Sequence, residues 1–122
     1  MKIINPRIHG ILDYVVVVLF LLAPTLIGFS GIPMILAYAL AGIHLALTLV
    51  TDFPLGVVKL IPFTIHGWIE YAVGPVLVLV PFIFGFDADV PARYFYIVVG
   101  ITIIAVALLT DYKGTETTKV HA

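Results

Sequence analysis

The chain has no cysteine, a single serine and few charges: six Lys or Arg and seven Asp or Glu in 122 residues. Without cysteine there are no disulfides, no thiolate metal ligands and no thiol nucleophile. The one serine, Ser30, stands in a Gly/Pro turn and is no candidate nucleophile. Charged residues make up 11% of the chain, against about 25% in a soluble domain. That is too little to cover a water-facing surface. The net charge of −1 offers no basic face to a nucleic acid.

What is present is apolar. Hydrophobic residues account for 62% of the chain, and the mean hydropathy is +1.21. Four apolar segments cover roughly 8–27, 33–51, 65–84 and 92–110. Each is close to the ~20 residues with which a helix crosses a ~30 Å hydrocarbon core. A spanning segment must satisfy its own backbone, so helices are expected despite the many Val and Ile residues. Lys2 and Arg7 precede the first run as in a signal peptide, but Asp13 interrupts it and no small-x-small site follows. The segment is therefore expected to be retained.

One stretch organises the chain and occurs twice. His9-Gly10-Ile11-Leu12-Asp13-Tyr14 and His66-Gly67-Trp68-Ile69-Glu70-Tyr71 both read His-Gly-x-x-acid-Tyr. At the same offset Pro24 aligns with Pro81, Gly28 with Gly85 and Phe29 with Phe86; further on, Gly42 aligns with Gly100 and Thr51-Asp52 with Thr110-Asp111. This is an internal duplication. The reading is an all-α membrane protein, a single domain over 1–122, with four transmembrane helices as two tandem parallel helical-hairpin repeats. Repeat 1 covers about 7–56, repeat 2 about 64–114, and a polar tail 113–122. An even number of spans per repeat makes the halves point the same way around an axis along the membrane normal.

The middle connection, 52–62, is expected to lie in the interface, with Asp52 capping a brief helical turn from Pro54. Pro24 and Pro81 should kink their helices. Pro75 has no counterpart, so the third helix should be the more distorted. Gly42, Ala46 and Gly100 should permit close helix packing. Tyr14, Trp68, Tyr71, Tyr94, Tyr96 and Tyr112 lie near segment ends, as an aromatic belt would. Lys2, Arg7, Lys59, Lys113 and Lys119 fall on one side and only Arg93 on the other. The positive-inside rule then places both termini in the cytoplasm of a cell whose inner (plasma) membrane holds the chain. Asp52 and Asp111 are expected to pair with Arg7, Lys59 or Lys113. His121, in the tail, is assigned no role. Lipid is the expected partner, and a homo-oligomer or larger complex is compatible with so much apolar surface.

Leu22-Ala23-Pro24-Thr25-Leu26-Ile27-Gly28-Phe29, followed by a second apolar helix, resembles the SPW-repeat family of small bacterial membrane proteins. Val80-Pro81-Phe82-Ile83-Phe84-Gly85-Phe86 resembles it again. In that family each repeat is two membrane helices with Ser-Pro-Trp near the end of the first. Here Ala23 and Val80 stand for the serine, and Thr25 and Phe82 for the tryptophan. The resemblance implies the hairpin architecture and an inner-membrane setting. It carries over no catalytic residues.

Chemistry points to one layer. His9 and Asp13 are at i and i+4 and share a helix face, and His66 and Glu70 repeat this. His44 lies on the second helix in a stripe with Ala37, Ala41, Thr48 and Thr51; Thr102 takes the place of His44 in the second half. Asp13 lies about 9 Å along its helix from Arg7 and His44 about 10 Å before Thr51, at 1.5 Å per residue. Ionisable groups at that depth cost at least ~2.5–3.5 kcal/mol and mark a site by default. His9, Asp13, His44, His66 and Glu70 are the candidates to hold a divalent transition metal or relay protons, supported by Tyr14, Thr48, Tyr71 and Thr102. A carboxyl kept protonated by desolvation would also meet the cost. Three alternatives stay open. The layer belongs to a structural or accessory subunit and only fixes packing; His44 with His9 or His66 ligates haem b; or a metal activates water in an intramembrane hydrolase. No reaction is assigned, and an enzyme is the less favoured class.

Overall fold

A computed structural model of the chain describes residues 2–113; His121 and the tail beyond Lys113 lie outside the described residues. Four helices follow in order: α1 Pro6–Ala23, continued by a π-helical turn Pro24–Gly28; α2 Gly31–Leu49; α3 Phe63–Ile83; and α4 Val90–Leu109. All four are long and apolar enough to cross a membrane, and the chain is a multi-pass membrane protein. They form two hairpins, α1 on α2 and α3 on α4.

Local sequence sets the ends. Asn5 caps α1, its side chain accepting from the Ile8 amide at 2.9 Å, with Pro6 in the first turn. At the far end the two hairpin turns match. Gly28 and Gly85 take φ of 92° and 73°, which glycine adopts without steric cost. The reversal returns the Phe29 amide to the Pro24 carbonyl at 2.9 Å and the Phe86 amide to the Pro81 carbonyl at 2.8 Å. It also tucks both phenylalanines against Tyr96. The apolar core, around Phe20, Ala37, Leu77, Tyr96 and Ile103, fills this half of the bundle.

Several expectations are corrected. The connection after α2 makes one hydrogen-bonded turn at Pro54, the Gly56 amide donating to the Phe53 carbonyl at 3.0 Å, and the turn is not continued as a helix. Thr51–Asp52 (β1) runs parallel to Ile61–Pro62 (β2), because the last carbonyls of α2 still need donors. Leu49 O accepts from Val57 and Val58, and Val50 O from Leu60 and Ile61. The equivalent bridge joins Ile4 to Thr110, again parallel, so the segment before α1 and the segment after α4 meet at one end of the bundle. The π-helical departure follows Pro24, whereas α3 continues through Pro75 and Pro81. Tyr96 is no belt residue: it is fully buried and its hydroxyl donates to the Pro33 carbonyl at 2.8 Å. Trp68 and Tyr94 do face outward. The Lys59 ammonium donates to the Phe53 carbonyl. Asp111 accepts from the Lys113 amide.

Of Gly42, Ala46 and Gly100, only Gly100 sits at a close helix contact. A Cβ on Gly100 would sit 2.7 Å from the Gly74 carbonyl oxygen. Gly42 and Ala46 are exposed, and a Cβ on Gly42 would meet nothing within 4 Å. Gly100→Ala is therefore expected to destabilise the detergent-solubilised protein by about 1–3 kcal/mol, and Gly42→Ala to stay within about 0.5 kcal/mol. Thermal unfolding of both variants checks this; equal losses would contradict the packing described.

Candidate functional site

The first turns of α1 and α3 carry the same motif, and the pairing of Ile4 with Thr110 and of Ile61 with Thr51 draws both helix starts to the centre. Each histidine faces inward there, and the acid one turn later shares its face. His9 and His66 are 0% exposed, Asp13 and Glu70 3%. The four side chains form a closed loop in which nitrogen and oxygen alternate. His9 Nε2 lies 3.3 Å from Asp13 Oδ1, and Asp13 Oδ2 lies 3.1 Å from His66 Nε2. His66 Nε2 lies 3.0 Å from Glu70 Oε1, and Glu70 Oε2 lies 3.1 Å from His9 Nε2. One ligand atom from each residue falls within 4.8 Å of all the others.

The rings are held from behind, each by the opposite half of the chain. His9 Nδ1 is 2.8 Å from Thr110 Oγ1, and His66 Nδ1 is 2.7 Å from Thr51 Oγ1. Each hydroxyl has one proton, and it goes to the carbonyl one turn back: Thr110 to Val106 and Thr51 to Leu47, both at 2.6 Å. The hydroxyl can then only accept from the ring, so Nδ1 carries a proton in both histidines. A neutral ring in this tautomer presents a bare Nε2 lone pair to the carboxylates. Lone pairs facing carboxylate oxygens at such distances need a cation or a proton between them. Outer partners that fix Nδ1–H and free Nε2 are how metal-binding histidines are oriented.

The arrangement also has the right size. Nitrogen–oxygen separations of 3.0–3.3 Å are close to the ~3.3 Å between neighbouring ligands of a tetrahedral zinc with bonds of about 2.0–2.1 Å. Asp13 Oδ2 has no hydrogen-bond partner among the described residues despite its nearness to His66. Two histidines and two carboxylates suit a divalent transition metal.

An aromatic plug covers the site on the side where Ile4 pairs with Thr110 and Thr51 with Ile61. Phe53 stacks on Phe63, Phe63 packs on Tyr112, and Phe63 and Tyr112 both meet the His9 ring. Gly10 and Gly67 make room for it: a Cβ on Gly10 would sit 2.8 Å from the Phe53 ring, and one on Gly67 2.7 Å from that of Tyr112. The Tyr112 hydroxyl donates to Glu70 Oε2 at 3.4 Å. Burial, chiefly, pushes that phenol well above its ordinary pKa, so it stays a donor. Tyr112, expected in an aromatic belt, is part of the site instead. Phe53, Tyr112 and the pairing role of the two threonines escape a sequence reading; the repeated Thr-Asp-aromatic stretches at 51–53 and 110–112 were their signal.

His44 stands just outside the loop, its Nε2 3.5 Å from Asp13 Oδ1. The supporting residues are spread more widely. Tyr14 donates to the Leu55 carbonyl at 2.8 Å and Tyr71 to that of Ala107 at 3.1 Å, each tying a helix start to a chain segment near the plug. Thr48 is buried and donates to the His44 carbonyl at 2.8 Å. Thr102 is exposed and its hydroxyl turns back to Val98 O at 2.7 Å, so it does not take the place of His44 at the loop.

A family model, the SPW repeat domain, matches residues 7–110, and the chain belongs to that family. No curated protein and no solved structure matches it.

Thr51→Val and Thr110→Val each strand a buried N–H. Each is expected to cost about 1–3 kcal/mol, while Thr102→Val stays within about 0.5 kcal/mol. Thermal unfolding of the three variants checks this, and a Thr102→Val loss as large as the others would remove the special standing of the buried pair.

Proposed function

We propose that this SPW-repeat protein is a small membrane binding module that holds one divalent transition metal through His9 Nε2, Asp13, His66 Nε2 and Glu70. The observation that carries the reading is the closed loop of alternating nitrogen and oxygen, backed by threonines that leave Nε2 free. Zinc, iron and manganese fit this donor set; calcium prefers oxygen alone. A haem b ligated by His44 with His9 or His66 is the less favoured reading, because Asp13, 3.5 Å from His44 Nε2 and 3.1 Å from His66 Nε2, and Glu70, 3.0 Å from His66 Nε2, lie where a porphyrin would extend.

One observation favours a second reading. His66 Nε2 and His9 Nε2 lie at hydrogen-bond distance from Glu70 Oε1, 3.0 and 3.2 Å. Shared protons in place of the ion would also close the loop, giving a packing element or a proton relay. Metal content separates the two. Protein purified without chelator and reloaded by dialysis is expected to carry one metal per chain by elemental analysis. His9→Ala and His66→Ala are expected to lose it, and acidification to weaken it, since protons compete for Nε2. A folded protein that stays metal-free at neutral pH leaves only the proton-linked network.

We place the site in the cytoplasmic half of the inner membrane, on the distribution of Lys and Arg. The cysteine-free chain makes this testable. Ser30→Cys is expected to react with an impermeant maleimide in intact cells, and Lys59→Cys only after the membrane is opened. The reverse pattern would invert the topology.

A further inference from the structure

Two clefts between the hairpins end on the same polar atoms. One, between α2 and α3, has a volume of about 60 Å³ and is walled by Leu40, Leu47, Val73 and Leu77. The other, between α1 and α4, has about 100 Å³ and is walled by Leu12, Val16, Leu19 and Val106. His44, Glu70 and Ile103 line both, and Asp13 lines the second. Ile43 in the first and Val15 in the second are exposed on the outer faces of membrane-spanning helices, so both clefts face lipid. The plug of Phe53, Phe63 and Tyr112 packs against the other side of the histidine rings. Any coordination position left open by the four ligands therefore faces the clefts.

We propose, resting on the metal reading above, that the metal binds a small uncharged molecule of the dioxygen or nitric oxide class, which reaches it from the lipid through these clefts. Three features select that class. A water needs about 10–15 Å³ on this scale, so clefts of about 60 and 100 Å³ readily admit a diatomic. Their apolar walls penalise ions and water. His44 Nε2, shielded from solvent and without a hydrogen-bond partner among the described residues, stands beside Asp13 to meet the outer atom of a bound diatomic. Such a polar group beside an open metal position is what tunes diatomic binding in metal pockets.

The test uses full-length protein in detergent, loaded anaerobically with iron(II), or with cobalt(II) if iron does not stay bound, and titrated with nitric oxide. One nitric oxide per metal is expected by electron paramagnetic resonance. Ile103→Phe, which fills both clefts, is expected to slow association roughly tenfold at unchanged metal content, since steric access governs such binding. Val106→Phe, at a half-buried position in the wider cleft, is the second variant should Ile103→Phe fail to fold. His44→Leu is expected to speed nitric oxide release. Metal-loaded protein that forms no adduct, or association unaffected by the filled clefts, overturns this inference and leaves the metal reading standing. Protein that takes up no metal overturns both.

Discussion

A buried imidazole has two nitrogens, and in a membrane interior neither can turn to bulk water. That requirement governs the whole polar end of this bundle. Each ring spends Nδ1–H on a threonine whose own proton is already committed to a helix carbonyl. What remains, Nε2, must be met from the centre. The carboxylates one turn along the same helices are drawn there, and the two helix starts are held together by the need to keep four ionisable groups in contact. Removing any one leaves the others in hydrocarbon surroundings with an uncompensated group, which is far more costly than the small net worth of each bond.

The rest of the fold serves that centre. The parallel bridges of Ile4 with Thr110 and Ile61 with Thr51 set the threonines in register with the rings. Gly10 and Gly67 let the aromatic plug lie flush over the site. At the opposite end the matched Pro-to-Phe turns and the phenylalanines around Tyr96 fix the hairpins by ordinary packing. A dry end and a polar end thus divide the labour. The halves are alike without being equal: Asp13 against Glu70, Phe53 against Tyr112, and His44 with no imidazole opposite it.

The architecture was legible because hydropathy and the repeated motif are both long-range signals that need no knowledge of contacts. The i, i+4 spacing put His9 with Asp13 and His66 with Glu70 on one face each, and turn geometry carried Gly28 and Gly85. Contacts that join residues far apart in sequence left no such trace. Thr51 shows in the sequence as part of a stripe and of the repeated Thr-Asp pair, but nothing there says that its hydroxyl meets a ring fifteen residues later in the other hairpin. Thr102 aligns with His44, but it is exposed at the rim of the cleft that Asp13, His44 and Glu70 line, and its hydroxyl is committed to the Val98 carbonyl. Gly42 aligns with Gly100, yet it faces open space while Gly100 lies against the Gly74 backbone of α3. The 52–62 connection was read from its local caps, while its conformation answers to the unsatisfied end of α2.

The exchange of threonines between halves also bears on how such a chain arose. Two sides of the loop, His9 with Asp13 and His66 with Glu70, lie within one helix each, while the other two and both threonine bonds cross between the hairpins, so two separate copies of a single hairpin would satisfy a set of the same kind without a linker. Joining them end to end then required no new chemistry. With both copies on one chain each half can carry its own side chains, and here one flank bears an extra imidazole, His44, and the other a phenol, Tyr112.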